Sequence, residues 1–201
     1  AYLDANPHVI ELPLPERDCR NACPFSYLLS LIQTAKYEID DLPQLSTNRT
    51  TNLRAQTLDI IENKSLDNSL DRDRNKSYLS QLLELPLSVI FEPLIDYSLP
   101  PNQVYTKIPA WKLIENPNIN DFPLMSKQVI VIAVGDDERL GLTEGQTDRF
   151  KIPFAMSYWE SQQKWLTGGQ SLAYMTHHLL KNRLLTPIPD VLMIVAAIFI
   201  S

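Results

Sequence analysis

The sequence predicts an α/β domain, with a central, largely parallel sheet flanked by helices and a long polar insertion over about residues 40–80. Three observations carry that prediction. Gln128-Val-Ile-Val-Ile-Ala-Val-Gly135 is a near-continuous β-branched run ending in glycine, the pattern of a strand buried on both faces in a parallel sheet. A loop from Asp136 to Phe150 follows it. Ser171 to Lys181 then reads as a helix with Leu172, Met175, Leu179 and Leu180 on one face. Strand, loop and helix in succession are the building unit of α/β folds.

The other elements are placed in chain order. Val9 to Pro15 is a short extended piece punctuated by proline. Ser26 to Glu38 is an amphipathic helix, because Phe25, Leu28, Leu29, Ile32 and Ala35 recur at steps of three and four, with Pro24 near its start. Residues 40–80 are rich in Asn, Asp, Ser, Thr and Arg, with apolar residues too sparse for a packed element; we expect an exposed insertion with one helix near 53–63. Leu87 to Phe91 reads as a strand and Val104 to Ile108 as a second extended segment. Pro109 to Glu115 makes one or two helical turns, ended by Asn116-Pro117. Gly168-Gly169 precede the last long helix, and Lys181 and Arg183 sit at its end, where cations suit the helix dipole.

Composition bounds the function. A chain of 201 residues can bury a real core without staples. A net charge of −6 with no dense basic stripe argues against a nucleic-acid partner. Fifteen prolines and five glycines imply stiff connections and few phosphate-cradling loops, and nothing matches a P-loop. The chain begins at Ala1 without Met or a signal peptide, which suggests a piece of a longer protein. Val191 to Ile200 is a continuous apolar run, too short to span a bilayer alone. It reads either as the start of a spanning helix or as a buried core element.

The chemistry-bearing residues are thinly spread. Asp136, Asp137 and Glu138 follow the strand end, where ligands bind in open parallel sheets, and with Asp148 they could hold a divalent cation; a solvated acidic loop is the plainer reading. His177 and His178 point about 100° apart on a helix and complete no zinc spacing, so one is expected at the surface and one packed. Cys19 and Cys23 could be bridged either in a turn or, at a Cα separation of about 6 Å, in a helix; a bridge fits an oxidising compartment, and free thiols remain open. No G-x-S-x-G and no Ser-His-Asp arrangement is evident, and the three Asn-x-Ser/Thr sequons matter only in a eukaryotic secretory pathway. We expect no cofactor, no metal and no catalytic residues.

The C-terminal third resembles the type-two CHASE domain, a sensory domain found outside the bacterial cytoplasmic membrane. The ordered set that carries the resemblance is Val129-Ile-Val-Ile-Ala-Val-Gly135, Asp148-Arg-Phe-Lys-Ile-Pro153, Thr167-Gly-Gly-Gln-Ser-Leu-Ala173, the helix through Leu184-Leu185, Pro187-Ile-Pro189, and the apolar start at Val191. Ile95 to Tyr105 and Ile108 to Leu113 look like cyanobacterial members. The chain departs from the family in having Gly168-Gly169 for the usual Pro-Gly, in its 40–80 insertion, and in lacking the family's N-terminal half. The resemblance implies that residues 1–190 form an extracytoplasmic sensor and 191–201 the truncated start of a transmembrane helix. A small-molecule ligand would bind near Gly135, Asp136, Asp137, Asp148, Phe150 and Pro153. The Asp136–Phe150 loop would then move, and the Ser171–Lys181 helix would pass the signal toward a cytoplasmic output module, as in two-component systems. Two alternatives stay open: a metal-assisted hydrolase or transferase using the same loop, and a homodimerisation module with no small ligand.

Overall fold

The computed structural model describes residues 23–39, 55, 57–61, 63, 78–88, 93–115, 128–133, 149–163, 165–188 and 190–200. Its first element, α1 (Phe25–Glu38), starts behind Pro24, whose carbonyl accepts the Leu28 N–H at 3.0 Å. The helix is where the sequence places it, but its buried face is not. Tyr27, Leu31 and Ala35 go inward together with Ser26, Ser30 and Thr34, while Phe25 and Ile32 are exposed. The buried face thus mixes short hydroxyl side chains with Tyr27 and Leu31.

Residues 57–61 are helical, where the sequence places one helix near 53–63 within an otherwise exposed insertion. Leu58 and Ile61 are nevertheless core residues. Next comes α2 (Tyr78–Ser88), anchored to α1 by the Tyr27 hydroxyl, which donates to the Leu82 carbonyl at 2.6 Å. Leu87 and Ser88 are therefore helical and not the start of a strand; 89–91 lie outside the described residues. A non-regular stretch from 93 leads to α3 (Pro101–Val104), with proline at its first position, where the missing N–H costs nothing. Tyr105 is extended, at φ −148 and ψ 159, and α4 (Ala110–Glu115) is solvent-exposed throughout.

The expected central parallel sheet is absent among the described residues. The sheet present is two-stranded and antiparallel, pairing β1 (Arg149–Lys151) with β2 (Trp165–Thr167) through Arg149–Thr167, Phe150–Leu166 and Lys151–Trp165. Residues 128–133 belong to neither sheet nor helix, and Ile130 and Ile132 are 58% and 96% exposed. A β-branched run reports local strand preference, but a strand needs neighbours to pair with, and none of the described residues pairs with 128–133. The architecture is a helical domain with one small hairpin-like pair, not an α/β sheet.

Between the two strands lies α5 (Phe154–Ser157). The long helix α6 (Gly168–Leu180) begins three residues before the expected Ser171, because Thr167-Gly-Gly-Gln170 forms a capping box. Thr167 Oγ1 accepts the Gln170 N–H at 3.2 Å, and Gln170 Oε1 accepts the Thr167 N–H at 2.9 Å. Gly169 is required here: a Cβ on it would sit 2.3 Å from the Ala133 Cβ. At its other end Asn182 takes φ 48, the left-handed conformation that ends helices. Arg183 N–H then bonds the His178 carbonyl at 2.9 Å and Asn182 N–H the Leu179 carbonyl at 3.3 Å, the paired bonds of a Schellman motif.

The core gathers α1, residues 58 and 61, α2, Ile95, Tyr97, Met156, Leu166 and α6 into one cluster. The packing of α1 on α6 is its largest element interface. The last element is α7 (Asp190–Ile200), whose Leu192, Met193, Ile194, Val195, Ile198, Phe199 and Ile200 are all exposed. At about 1.5 Å per residue it reaches roughly half the thickness of a bilayer core. No helix of the described residues is long and apolar enough to cross a membrane.

Candidate functional site

Of the expected ligand residues, Gly135, Asp136, Asp137 and Asp148 lie outside the described residues. Phe150 and Pro153 serve the fold. Phe150 pairs with Leu166 and packs on the core, while Pro153 is buried and its carbonyl accepts the Met156 N–H at 3.0 Å to start α5. Cys23 is disulfide-bonded, and Cys19 lies outside the described residues. No cluster of three His, Cys, Asp or Glu with metal-binding geometry occurs among the described residues.

What the structure does assemble is a seam. The chain from Leu94 to Tyr105 runs antiparallel to α6 and the turn after it, and polar contacts join the two at intervals. Leu94 N–H donates to the Leu185 carbonyl at 2.6 Å. Arg183 meets Asp96 Oδ2 with both Nε and a terminal guanidinium nitrogen, each at 2.7 Å. His178 Nε2 lies 2.9 Å from the Asp96 carbonyl oxygen. The Tyr174 hydroxyl donates to the Leu99 carbonyl at 2.8 Å, and Gln170 Nε2 donates to the Tyr105 hydroxyl at 3.0 Å. Tyr174 also packs between Tyr97 and Tyr105, with ring centroids 5.0 and 6.0 Å away.

The seam ends in an open cleft of about 610 Å³, walled by Tyr105, Lys107, Arg149, Glu160 and Trp165. Gln163 and the buried Gln170 form its floor. Gln170 Oε1 accepts from Gln163 Nε2 at 2.9 Å as well as from Thr167, and Gln163 Nε2 also donates to the Trp165 carbonyl at 2.6 Å. Each side-chain amide is thus oriented by its neighbours. Burial raises the Tyr105 pKa, the Gln170 hydrogen bond opposes that, and the Glu160 carboxylate adds to it; the net shift is upward. Tyr105 therefore stays a neutral phenol. Its oxygen accepts from Gln170, so its own proton is available to donate to a guest.

The cleft can bind a small molecule of mixed polarity. Its walls offer two cations, one carboxylate, two aromatic faces and oriented amides. Among the described residues, the groups of the lining that could serve as nucleophile or general base are Thr106, Lys107, Tyr105 and Glu160. Sequence reasoning missed Tyr105, Gln163 and Gln170, because amides and a phenol far apart in the chain leave no ionisable spacing pattern. One signal was legible: the Thr-x-x-Gln capping-box spacing marks Gln170 as a residue held at a helix start. In comparisons with known proteins, no family model, no curated protein and no solved structure matches this chain.

Proposed function

We propose that this chain is the ligand-sensing domain of a transmembrane receptor, standing on the extracytoplasmic side and joined to the membrane at α7. The observation that carries the proposal is the seam, which links the cleft at Tyr105 and Gln170 to the connector at Leu185, five residues before α7. A guest that draws Tyr105 toward or away from Gln170 bears on the same backbone that Leu94 ties to Leu185. Binding shifts such an equilibrium only through different affinity for its two arrangements, and a cleft wall that is also one side of the seam provides that difference.

Three further features support the reading. A helix apolar on all sides, with exposed side chains from Leu192 to Val195, suits lipid better than water. The disulfide at Cys23 suits an oxidising compartment. The resemblance of the C-terminal third to type-two CHASE domains points the same way and adds a cytoplasmic output module beyond the membrane. The lining favours a small guest bearing both an anionic and a donor group, met by Arg149 or Lys107 and by Glu160.

The test is a thermal-shift screen of the full chain in detergent against amino acids, dicarboxylates and sugars. A guest at 100 times its Kd stabilises the fold by about 2.7 kcal/mol. Tyr105→Phe, which keeps the ring and removes the donor, should weaken that guest by about tenfold. A folded chain stabilised by none of these classes would overturn the ligand reading. Equal binding by Tyr105→Phe and Trp165→Ala would move the site elsewhere.

A further inference from the structure

We infer that the guest of the cleft is an acidic amino acid, its ammonium received by Glu160 and Gln163 and its two carboxylates by Tyr105, Lys107 and Arg149. This holds only with the cleft as the ligand site.

The hydrogen bonds made inside the cleft decide what remains for a guest. Gln170 Oε1 accepts the backbone N–H of Thr167 at 2.9 Å, and a backbone N–H only donates, so the two ends of the Gln170 amide are fixed. Gln163 Nε2 then donates to that oxygen at 2.9 Å and to the Trp165 carbonyl at 2.6 Å. Both N–H groups of the Gln163 amide are used, and what it keeps for a guest is an acceptor, Oε1. Glu160 adds a carboxylate, which also only accepts. The turn that carries the pair is fixed by its backbone: the Glu160 N–H bonds the Met156 carbonyl at 2.9 Å, and the Glu160 carbonyl accepts the Gln163 N–H at 3.0 Å. Glu160 and Gln163 therefore offer oxygens alone, with a negative charge among them. An ammonium, which donates and cannot accept, matches them.

The other walls offer donors. The Tyr105 hydroxyl accepts from Gln170 Nε2 at 3.0 Å, so its own proton is left to give. Lys107, two residues on, and Arg149, at the start of β1, are the cations of the lining. Both have contacts of their own, yet a guanidinium and an ammonium each present several N–H groups, more than a single contact uses. In the β1–β2 register Phe150 and Leu166 lie on the core side, which puts Arg149 and Trp165 together on the other face, diagonal to each other. A carboxylate held by Arg149 then has the Trp165 ring beside it to cover the methylene carbons of the guest. Burial raises the pKa of both Tyr105 and Tyr174, and the Glu160 carboxylate is among the further causes at each ring. That carboxylate is therefore near enough to the donor side for one small guest to meet both.

Charge then selects among small guests. Two cations against one carboxylate give the lining a net positive charge. A guest with one ammonium and two carboxylates brings an opposite charge to each. A plain dicarboxylate brings nothing to Glu160. A neutral amino acid brings no charge to the second cation, and a neutral sugar brings none to any of them.

The experiment is calorimetric titration of the full chain in detergent near neutral pH, where the guest carries all its charges. The probes are L-glutamate, L-aspartate, glutarate and L-glutamine. L-Glutamate or L-aspartate should bind about tenfold or more tightly than glutarate, which lacks the ammonium, and than L-glutamine, which lacks one carboxylate. In Glu160→Gln the preference over glutarate should vanish. In Arg149→Gln the acidic amino acid and glutarate should both weaken by about tenfold, their ratio kept. A loosened fold would weaken every probe together and leave that ratio unmoved in both variants. Glutarate or L-glutamine binding as tightly as the acidic amino acids, or a preference unchanged in Glu160→Gln, would overturn the assignment. Should Glu160→Gln not fold, the wild-type order of the probes decides. If a sugar or a plain dicarboxylate alone stabilises the chain and Tyr105→Phe weakens it, the cleft remains the ligand site and only the amino-acid assignment falls. If no class stabilises the chain, the ligand reading falls and takes the assignment with it.

Discussion

Helix α6 is held by two seams of opposite kind. Toward α1 it packs on a helix whose buried face carries Leu31 and the short residues Ser26, Ser30 and Thr34. A polar contact across that interface is long: Ser30 Oγ donates to the Ser26 carbonyl at 2.8 Å and reaches the Thr176 carbonyl only at 3.4 Å. The hydroxyls of Ser26, Thr34 and Thr176 are buried with no partner among the described residues. Toward residues 94–105 it is held by directed polar bonds that end in an ion pair. Packing of the first kind depends on shape and is indifferent to proton and salt. Bonds of the second kind can be rewritten by a proton, a salt or a guest. The α1 side is therefore the frame, and the 94–105 side is the part able to move.

The largest effect should come from damaging the frame. Leu31 is fully buried on the packed face of α1, so Leu31→Ala should cost about 3 kcal/mol in transfer and cavity terms. Chemical denaturation would show it as a lower midpoint, and exchange would accelerate in both seams together. Tyr174→Phe should cost only about 1 kcal/mol, because the ring still packs between Tyr97 and Tyr105 and only the bond to Leu99 is lost. Its exchange should accelerate in 94–105 and not in α1. If Tyr174→Phe loosened both seams equally, the division into frame and moving part would fail.

How much of this the sequence shows depends on how local the cause is. Helices α1 and α6 were legible because recurrence at three and four residues is a property of each segment alone. The buried face of α1 was not, since whether Phe25 or Ser26 turns inward depends on how closely a partner helix can approach. The stretch 128–133 failed for a related reason: Val129 to Val134 has strand preference, but no segment described pairs with it, and its Ala133 instead lies against Gly169. Leu58 and Ile61 were discounted as isolated apolar residues in a polar stretch, yet two residues one turn apart suffice to join a core that others build. The site was hidden most deeply. Tyr105 and Gln170 are 65 positions apart, and neither carries a charge that spacing rules could detect.

The smallest effect has an unusual sign and tests the frame most finely. Thr34 is 6% exposed and its hydroxyl has no partner among the described residues. Valine keeps the branched shape and the χ1 restriction of threonine within a helix, so Thr34→Val changes little but the oxygen. A hydroxyl buried without a hydrogen bond carries a desolvation penalty, and its removal should stabilise the chain by up to about 1 kcal/mol. Urea denaturation should show a higher midpoint with an unchanged slope, because the surface exposed on unfolding is the same. Destabilisation by a similar amount would mean that the Thr34 hydroxyl bonds back to a carbonyl of its own helix. The α1 seam would then owe part of its strength to directed bonds, and the contrast between the two sides of α6 would narrow to the ion pair and His178.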